Sequence, residues 1–131
     1  MRILITGGAG YIGSSVAHLL VDRGIEVHVI DNFSTGSKSL LPSNAKVYEL
    51  DIGSEKEITK ILKNLSPKVV IHFAGSVEVE ESIINPIKYY ENNLGKSISF
   101  LNSCIEAKVE NFIFSSTAAV YGYPEYLPID E

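Results

Sequence analysis

The sequence predicts an α/β fold built on a doubly wound parallel sheet with strand order 3-2-1-4-5. Three observations predict it. Five short apolar runs rich in Val, Ile and Phe alternate with segments of helical periodicity, and such alternation builds a parallel sheet with right-handed crossovers. The first run passes into a glycine-rich stretch, Thr6-Gly7-Gly8-Ala9-Gly10-Tyr11-Ile12-Gly13, that opens a helix. An acidic residue, Asp31, ends the second run 18 residues after Gly13, which is the context a dinucleotide-binding turn requires.

Arg2 to Thr6 is the first strand, apolar on both faces as a buried parallel strand should be. The first helix is expected from Tyr11 to Arg23, with apolar residues Ile12, Val16, Leu19 and Leu20 and with Gly24 at the C′ position. Glu26 to Asp31 is the second strand. His28 inside it and His18 on the helix read as structural histidines, because no partner ligands are spaced around them. Lys46 to Leu50 is the third strand, leading to Asp51-Ile52. Ser54 and Glu57 form a capping box for a helix with apolar stripe Ile58, Ile61, Leu62 and Leu65. Lys68 to Phe73 is the fourth strand, followed by the small residues Ala74-Gly75. Asn85 as cap and Pro86 at the first helical position start one long helix to about Lys108, with stripe Ile87, Tyr90, Leu94, Ile98, Leu101 and Ile105. Asn111 to Ser115 is the fifth strand, and Tyr123 to Glu131 is an acidic, Pro-containing loop.

Composition narrows the function. The 131 residues carry a formal net charge of −5 and no basic run, which argues against a nucleic-acid surface. A single domain is the default at this length, and roughly two-thirds of the unfolded surface can be buried. The one cysteine, Cys104, excludes an internal disulfide framework and reads as a small apolar helix residue. No apolar run is long enough to span a membrane, and the start of the chain does not read as a signal peptide. The expectation is a cytoplasmic protein.

The spacing Gly7-x-x-Gly10-x-x-Gly13 has a physical job. One glycine turns the chain off the strand, one lets main chain approach a pyrophosphate, and the last lets the helix pack close to the sheet. The helix start then offers free N–H groups and its dipole to the phosphates. A carboxylate at Asp31 accepts hydrogen bonds from ribose hydroxyls and repels a 2′-phosphate. The loop Asn32-Phe33-Ser34-Thr35-Gly36 is neutral, so NAD is favoured over NADP, with Lys38 the nearest cation in sequence. The dinucleotide is expected across the switch point between strands one and four.

Four segments resemble the extended short-chain dehydrogenase/reductases and, within them, the UDP-glucose 4-epimerases. They are Thr6 to Gly13; Asp31-Asn32; His72-Phe73-Ala74-Gly75 through Glu81-Ser82 to Pro86, Tyr89-Tyr90 and Asn92-Asn93; and Phe114-Ser115-Ser116-Thr117 through Val120-Tyr121-Gly122. The resemblance implies a Rossmann-type NAD-binding domain. Gly7, Gly10, Tyr11, Ile12 and Gly13 would hold the pyrophosphate. Asp31 and Asn32, with Phe33, Ser34, Thr35 and Gly36, would hold the adenosine ribose, and Asp51 and Ile52 would contact adenine. Phe73, Ala74 and Gly75 would run beside the ribose and nicotinamide; Asn92 and Ser115 would also meet the cofactor. Thr117 matches the catalytic Ser/Thr whose hydroxyl bonds the sugar oxygen being oxidised. The substrate implied is a UDP-sugar, inverted at C4 through a transient 4-keto sugar, and the complete protein would be a homodimer packed through its long helix.

The chain departs from that pattern in informative places. After Thr117 the related dehydratases typically place Asp-Glu; here Ala118-Ala119 follow, and a methyl group transfers no proton. A lysine of some epimerases is Val77 here, and Gly95-Lys96 shifts the usual Asn-Gly pattern. No tyrosine from Tyr89 onward has a lysine four residues later, so the family's Tyr-x-x-x-Lys pair is missing. The expectation is the N-terminal part of a longer epimerase, catalytically inactive by itself, with no later strand and no substrate domain. The competing expectation is a stand-alone NAD-binding module without turnover, and a nucleotide-sugar reductase or decarboxylase on the same framework is a lesser alternative.

Overall fold

A computed structural model describes residues 1–129 of the chain. Asp130 and Glu131, the end of the expected acidic loop, lie outside the described residues. Five parallel strands, β1 (Arg2–Thr6), β2 (Glu26–Asp31), β3 (Lys46–Glu49), β4 (Val69–His72) and β5 (Phe112–Phe114), form one sheet in the order β3-β2-β1-β4-β5. The expected order is therefore observed. The outer strands are shorter than the sequence suggests, because the ladder ends where neighbouring strands stop.

Successive side chains of a strand point to opposite faces, and each face has its own core. Ile3, Ile5, Val27, Val29 and Ile71 pack with Ala17 of α1 (Tyr11–Asp22). Leu4, Ile30 and Val70 pack with Ile58, Leu62 and Leu65 of α2 (Glu55–Leu65) and with Phe100 and Cys104 of α5 (Lys96–Glu106). Gly24 takes the left-handed conformation after α1, φ +73°, as its C′ position requires. His28 is satisfied structurally by Tyr48 and Glu26, and His18 contacts the Leu40 carbonyl. Cys104 is buried, which pushes its thiol up to about 12.

Several sequence expectations need correction. Ser54 makes no side-chain cap for α2; the turn before it is closed instead by Asp51, whose carboxylate accepts the Gly53 N–H and whose carbonyl accepts the Ser54 N–H. The long helix is not uniform. A short helix α3 (Val79–Ile84), not expected from the sequence, precedes α4 (Pro86–Tyr89); a π-helical turn (Tyr90–Gly95) then joins α4 to α5. The Asn85 cap and the N-terminal Pro86 are as expected. The stripe Ile87, Tyr90, Leu94, Ile98, Leu101 and Ile105 is exposed, whereas Phe100, Ser103 and Cys104 are buried. Likewise α1 turns Gly13, Ser14 and Ala17 inward and leaves Ile12 and Leu19 exposed. α1 sets small side chains inward, and α5 sets two small ones beside Phe100.

Candidate functional site

The glycine turn is folded tightly onto the ends of the central strands. Gly7 adopts φ +66°, and a Cβ there would lie 2.6 Å from the Ala74 nitrogen. Its N–H donates to the Ile30 carbonyl at 2.9 Å, and its own carbonyl accepts from Gly10 at 3.2 Å. Gly13 serves a closer approach than the sequence reading supposed: its missing Cβ would lie 2.3 Å from the Gly7 carbonyl oxygen. The glycine lets α1 pack on the turn itself. Gly10 offers no side-chain cap, so the first N–H groups of α1 have no partner within the helix.

Asp31, at the tip of β2, holds that turn from the other side. One carboxylate oxygen accepts the Ala9 N–H at 2.9 Å and the other accepts the Phe33 N–H at 2.8 Å. Phe33 is thereby turned into the left-handed region, φ 56°. Lys38 lies 4.9 Å over the Phe33 ring and pairs with Glu49 at 2.6 Å. Its charge is engaged by a carboxylate.

Beyond β3, Asp51 collects Lys96 at 2.7 Å and Asn32 at 3.0 Å in addition to Gly53. Partial burial pushes its carboxyl up, but hydrogen bonds from Lys96, Gly53 and Asn32 and the lysine's charge outweigh this and hold it below the ordinary range.

The opposite wall follows β4. The Phe73 N–H donates to the Thr6 carbonyl at 3.0 Å. Asn93, in the π turn, accepts the Ser76 N–H at 2.7 Å and donates to the Ser76 carbonyl at 2.8 Å. Asn92 donates to the Ser76 hydroxyl at 3.0 Å. A turn of i→i+5 spacing is rare inside helices and often marks a functional site; here it brings two adjacent asparagines onto one loop residue. At the far end Glu81 accepts from Lys88 and from the Tyr89 hydroxyl. These bonds hold the Glu81 carboxyl below its usual range. The Tyr89 phenol is pushed up by burial and by Glu81.

The walls enclose a cleft of about 470 Å³. Gly7, Gly10, Asp31, Asn32, Ser34, Thr35, Gly36, Asp51, Ile52, Phe73, Ala74, Gly75 and Asn92 line it. Tyr11 and Ile12 are exposed at the start of α1, Gly13 is buried beneath the turn, and Phe33 is half-buried. Ser115 and Thr117 do not line the cleft; both are exposed past the end of β5. The Ser115 N–H donates to the His72 carbonyl at 3.1 Å. The Thr117 hydroxyl oxygen accepts the Ala119 N–H at 3.2 Å and caps a short 3-10 turn.

Sequence reasoning assigned no role to Lys96, Asn93, Ser76 or His72. The Asn92-Asn93 pair was the one visible signal. His72 is buried, bonded to the Thr6 hydroxyl at 2.6 Å and to the Ser97 hydroxyl at 3.1 Å. Among the described residues no helix is long and apolar enough to cross a membrane.

Comparison with known proteins places this arrangement. Residues 3–131 match the model of the NAD dependent epimerase/dehydratase family. The chain is 45% identical over 130 residues to a UDP-glucose 4-epimerase of Azospirillum brasilense, covering 99% of the chain and 37% of that protein. It is 40% identical over 138 residues to a UDP-glucose 4-epimerase of Klebsiella pneumoniae, of which it covers 99%. Among solved structures, the UDP-glucose 4-epimerase of Brucella ovis in complex with NAD superposes with a TM-score of 0.91 at 42% identity, over 99% of this chain and 40% of that one. The chain thus spans about two-fifths of the length of most of these relatives.

Proposed function

The chain belongs to the NAD dependent epimerase/dehydratase family, and from that premise we propose that it is the NAD-binding part of a UDP-glucose/UDP-galactose 4-epimerase. The observation that carries this reading is the cleft, in which a bare glycine turn, a buried carboxylate at the tip of β2 and a carboxylate–amide cluster beyond β3 succeed one another along one wall. That donor set fits a dinucleotide. The first amides of α1, which have no carbonyl partner within the helix, suit a pyrophosphate. Asp31 suits ribose hydroxyls and opposes a 2′-phosphate. Lys38, already paired with Glu49, does not offset that repulsion.

In this reading Gly7, Gly10, Tyr11, Ile12 and Gly13 hold the diphosphate. Asp31 to Gly36 hold the adenosine ribose, and Asp51 and Ile52 hold the base. Phe73, Ala74, Gly75 and Asn92 border the nicotinamide half, and Ser115 approaches it from outside the cleft, past the end of β5. NAD, when bound, supplies the acceptor and then the donor of the hydride. The protein's part is to orient the sugar and bind its reacting oxygen. Thr117 is the residue for that task. Its oxygen accepts from Ala119, which leaves the hydroxyl's own proton to donate to the sugar. The substrate is a UDP-sugar, and the complete protein is a homodimer of the cytoplasm.

These 131 residues contain no Tyr-x-x-x-Lys pair, so by themselves they bind NAD without turnover. A second reading is a stand-alone NAD-binding module without turnover, which the lack of a Tyr-x-x-x-Lys pair in these residues supports. The deciding experiment assays the product of the whole reading frame for interconversion of UDP-glucose and UDP-galactose, beside the 131-residue chain. Epimerisation by the first and none by the second is expected. A whole product that holds NAD but converts neither sugar removes the epimerase reading.

A further inference from the structure

The base end of the cleft gathers one cation and two neutral donors on a single carboxylate. The Asp51 Oδ2 atom accepts from Lys96 Nζ at 2.7 Å and from Asn32 Nδ2 at 3.0 Å, and Oδ1 accepts from the Gly53 N–H at 2.9 Å. Each carboxylate oxygen offers two lone-pair positions. Among the described residues Oδ2 is therefore filled, and Oδ1 keeps one acceptor position. Both Asp51 and Lys96 line the cleft, with side chains 32% and 36% exposed.

Lys96 is placed to do this by two constraints. Its head is on the carboxylate, and its stem lies along Gly53, where a Cβ would come within 3.1 Å of the lysine Cγ. It reaches there from the first turn of α5, directly after the π turn. A pair exposed to this degree adds little to stability, so stability does not account for the arrangement.

We infer that Lys96 is a positioning residue for the cofactor base: it orients Asp51 so that the open Oδ1 position accepts the exocyclic amine of an aminopurine, and so selects adenine over hypoxanthine. This rests on the NAD reading above. Adenine presents a donor at its 6-position. Hypoxanthine presents an oxygen there, which a fixed carboxylate repels. Without the lysine, Asp51 keeps only the Asn32 amide and the Gly53 N–H, loses its one charged partner, and is held less firmly in the orientation that turns Oδ1 to the base.

The test is calorimetric binding of NAD and of nicotinamide hypoxanthine dinucleotide. A hydrogen bond to a charged acceptor corresponds to roughly a tenfold preference for NAD in the unsubstituted protein. Lys96→Met is expected to reduce that ratio to about twofold, while Lys96→Arg, which keeps a cationic donor at the carboxylate, retains most of it. In an Asp51→Asn background Lys96→Met should change the ratio no further, because the lysine acts through the carboxylate. Equal binding of the two dinucleotides by the unsubstituted protein overturns the inference. An unchanged ratio in Lys96→Met, or an Arg variant no more selective than the Met variant, overturns it too. Binding of neither dinucleotide removes the NAD reading itself, which is a separate outcome.

Discussion

His72 ends β4 beside the glycine turn, and its ring is sealed in. It is 1% exposed, stacked on Phe100 at 5.3 Å and on Phe114 at 5.8 Å, and bonded to Thr6 and Ser97. Three elements that border the cleft, β1, β4 and α5, are thus joined through one imidazole. Burial pushes its pKa from 6.5 to about 4. The unfolded imidazole takes up a proton as pH falls through 6.5, whereas the folded one resists until about 4. The unfolded state binds more protons between those values, so stability is complete above the first and declines towards the second, by about 3 kcal/mol in all. Urea titrations from pH 7 to pH 4 should show this decline, and His72→Gln should flatten it. A variant with the same slope as the parent would show that another group carries the effect. Nothing in the sequence marks His72 for this role. It occupies one place in an apolar run, and its partners lie 66 residues before and 25 residues after it.

Among the elements, the helix after the cleft departs most from its sequence reading. Apolar spacing identifies a face, but it does not say what covers that face. The residues that α5 sets inward are Phe100, Ser103 and Cys104, two of them small, and they pack on α2 and the sheet. The π turn upstream is equally hidden from a count at 3.6 residues per turn, since it lengthens the helix locally without a breaker such as Pro. It presents Asn93 to both backbone groups of Ser76, much as a neighbouring strand would. Asn93→Ala removes both hydrogen bonds to the Ser76 backbone and the one from the Asn92 amide, and should cost about 1–2 kcal/mol. Amide exchange at Ser76 should rise about tenfold while the exchange of β1 stays as it was, because loops open locally at lower free energy than core strands. Equal protection of Ser76 in parent and variant would show that the loop is held by other contacts.

On the scale of the whole molecule, two of the apolar surfaces exposed among the described residues bear on association. One is the stripe from Ile87 to Ile105, with Ile98 at 50% and Ile105 at 74% exposure. The other is the edge strand β5, where Ile113 and Phe114 are exposed. The opposite edge, β3, carries paired charges at Lys46 and Glu49, a usual protection against edge-to-edge pairing. Exposed patches of this kind promote association. Light scattering of the 131-residue chain should show mass rising with concentration, and Ile98→Glu with Ile105→Lys should reduce the rise. A constant monomer mass across a wide range would show that both surfaces tolerate water.

The chain's local chemistry was enough to determine the five strands, their order, the glycine turn and Asp31 at the tip of β2. Strand alternation, turn glycines and end-of-strand acids are set by neighbours a few residues apart, and local patterns record them. The faces on which α1 and α5 pack, the Asp51–Lys96 pair and the Thr6–His72–Ser97 chain of hydrogen bonds were decided only in three dimensions. Each depends on groups that are distant in sequence and meet only when the crossovers close, and no local periodicity carries that information.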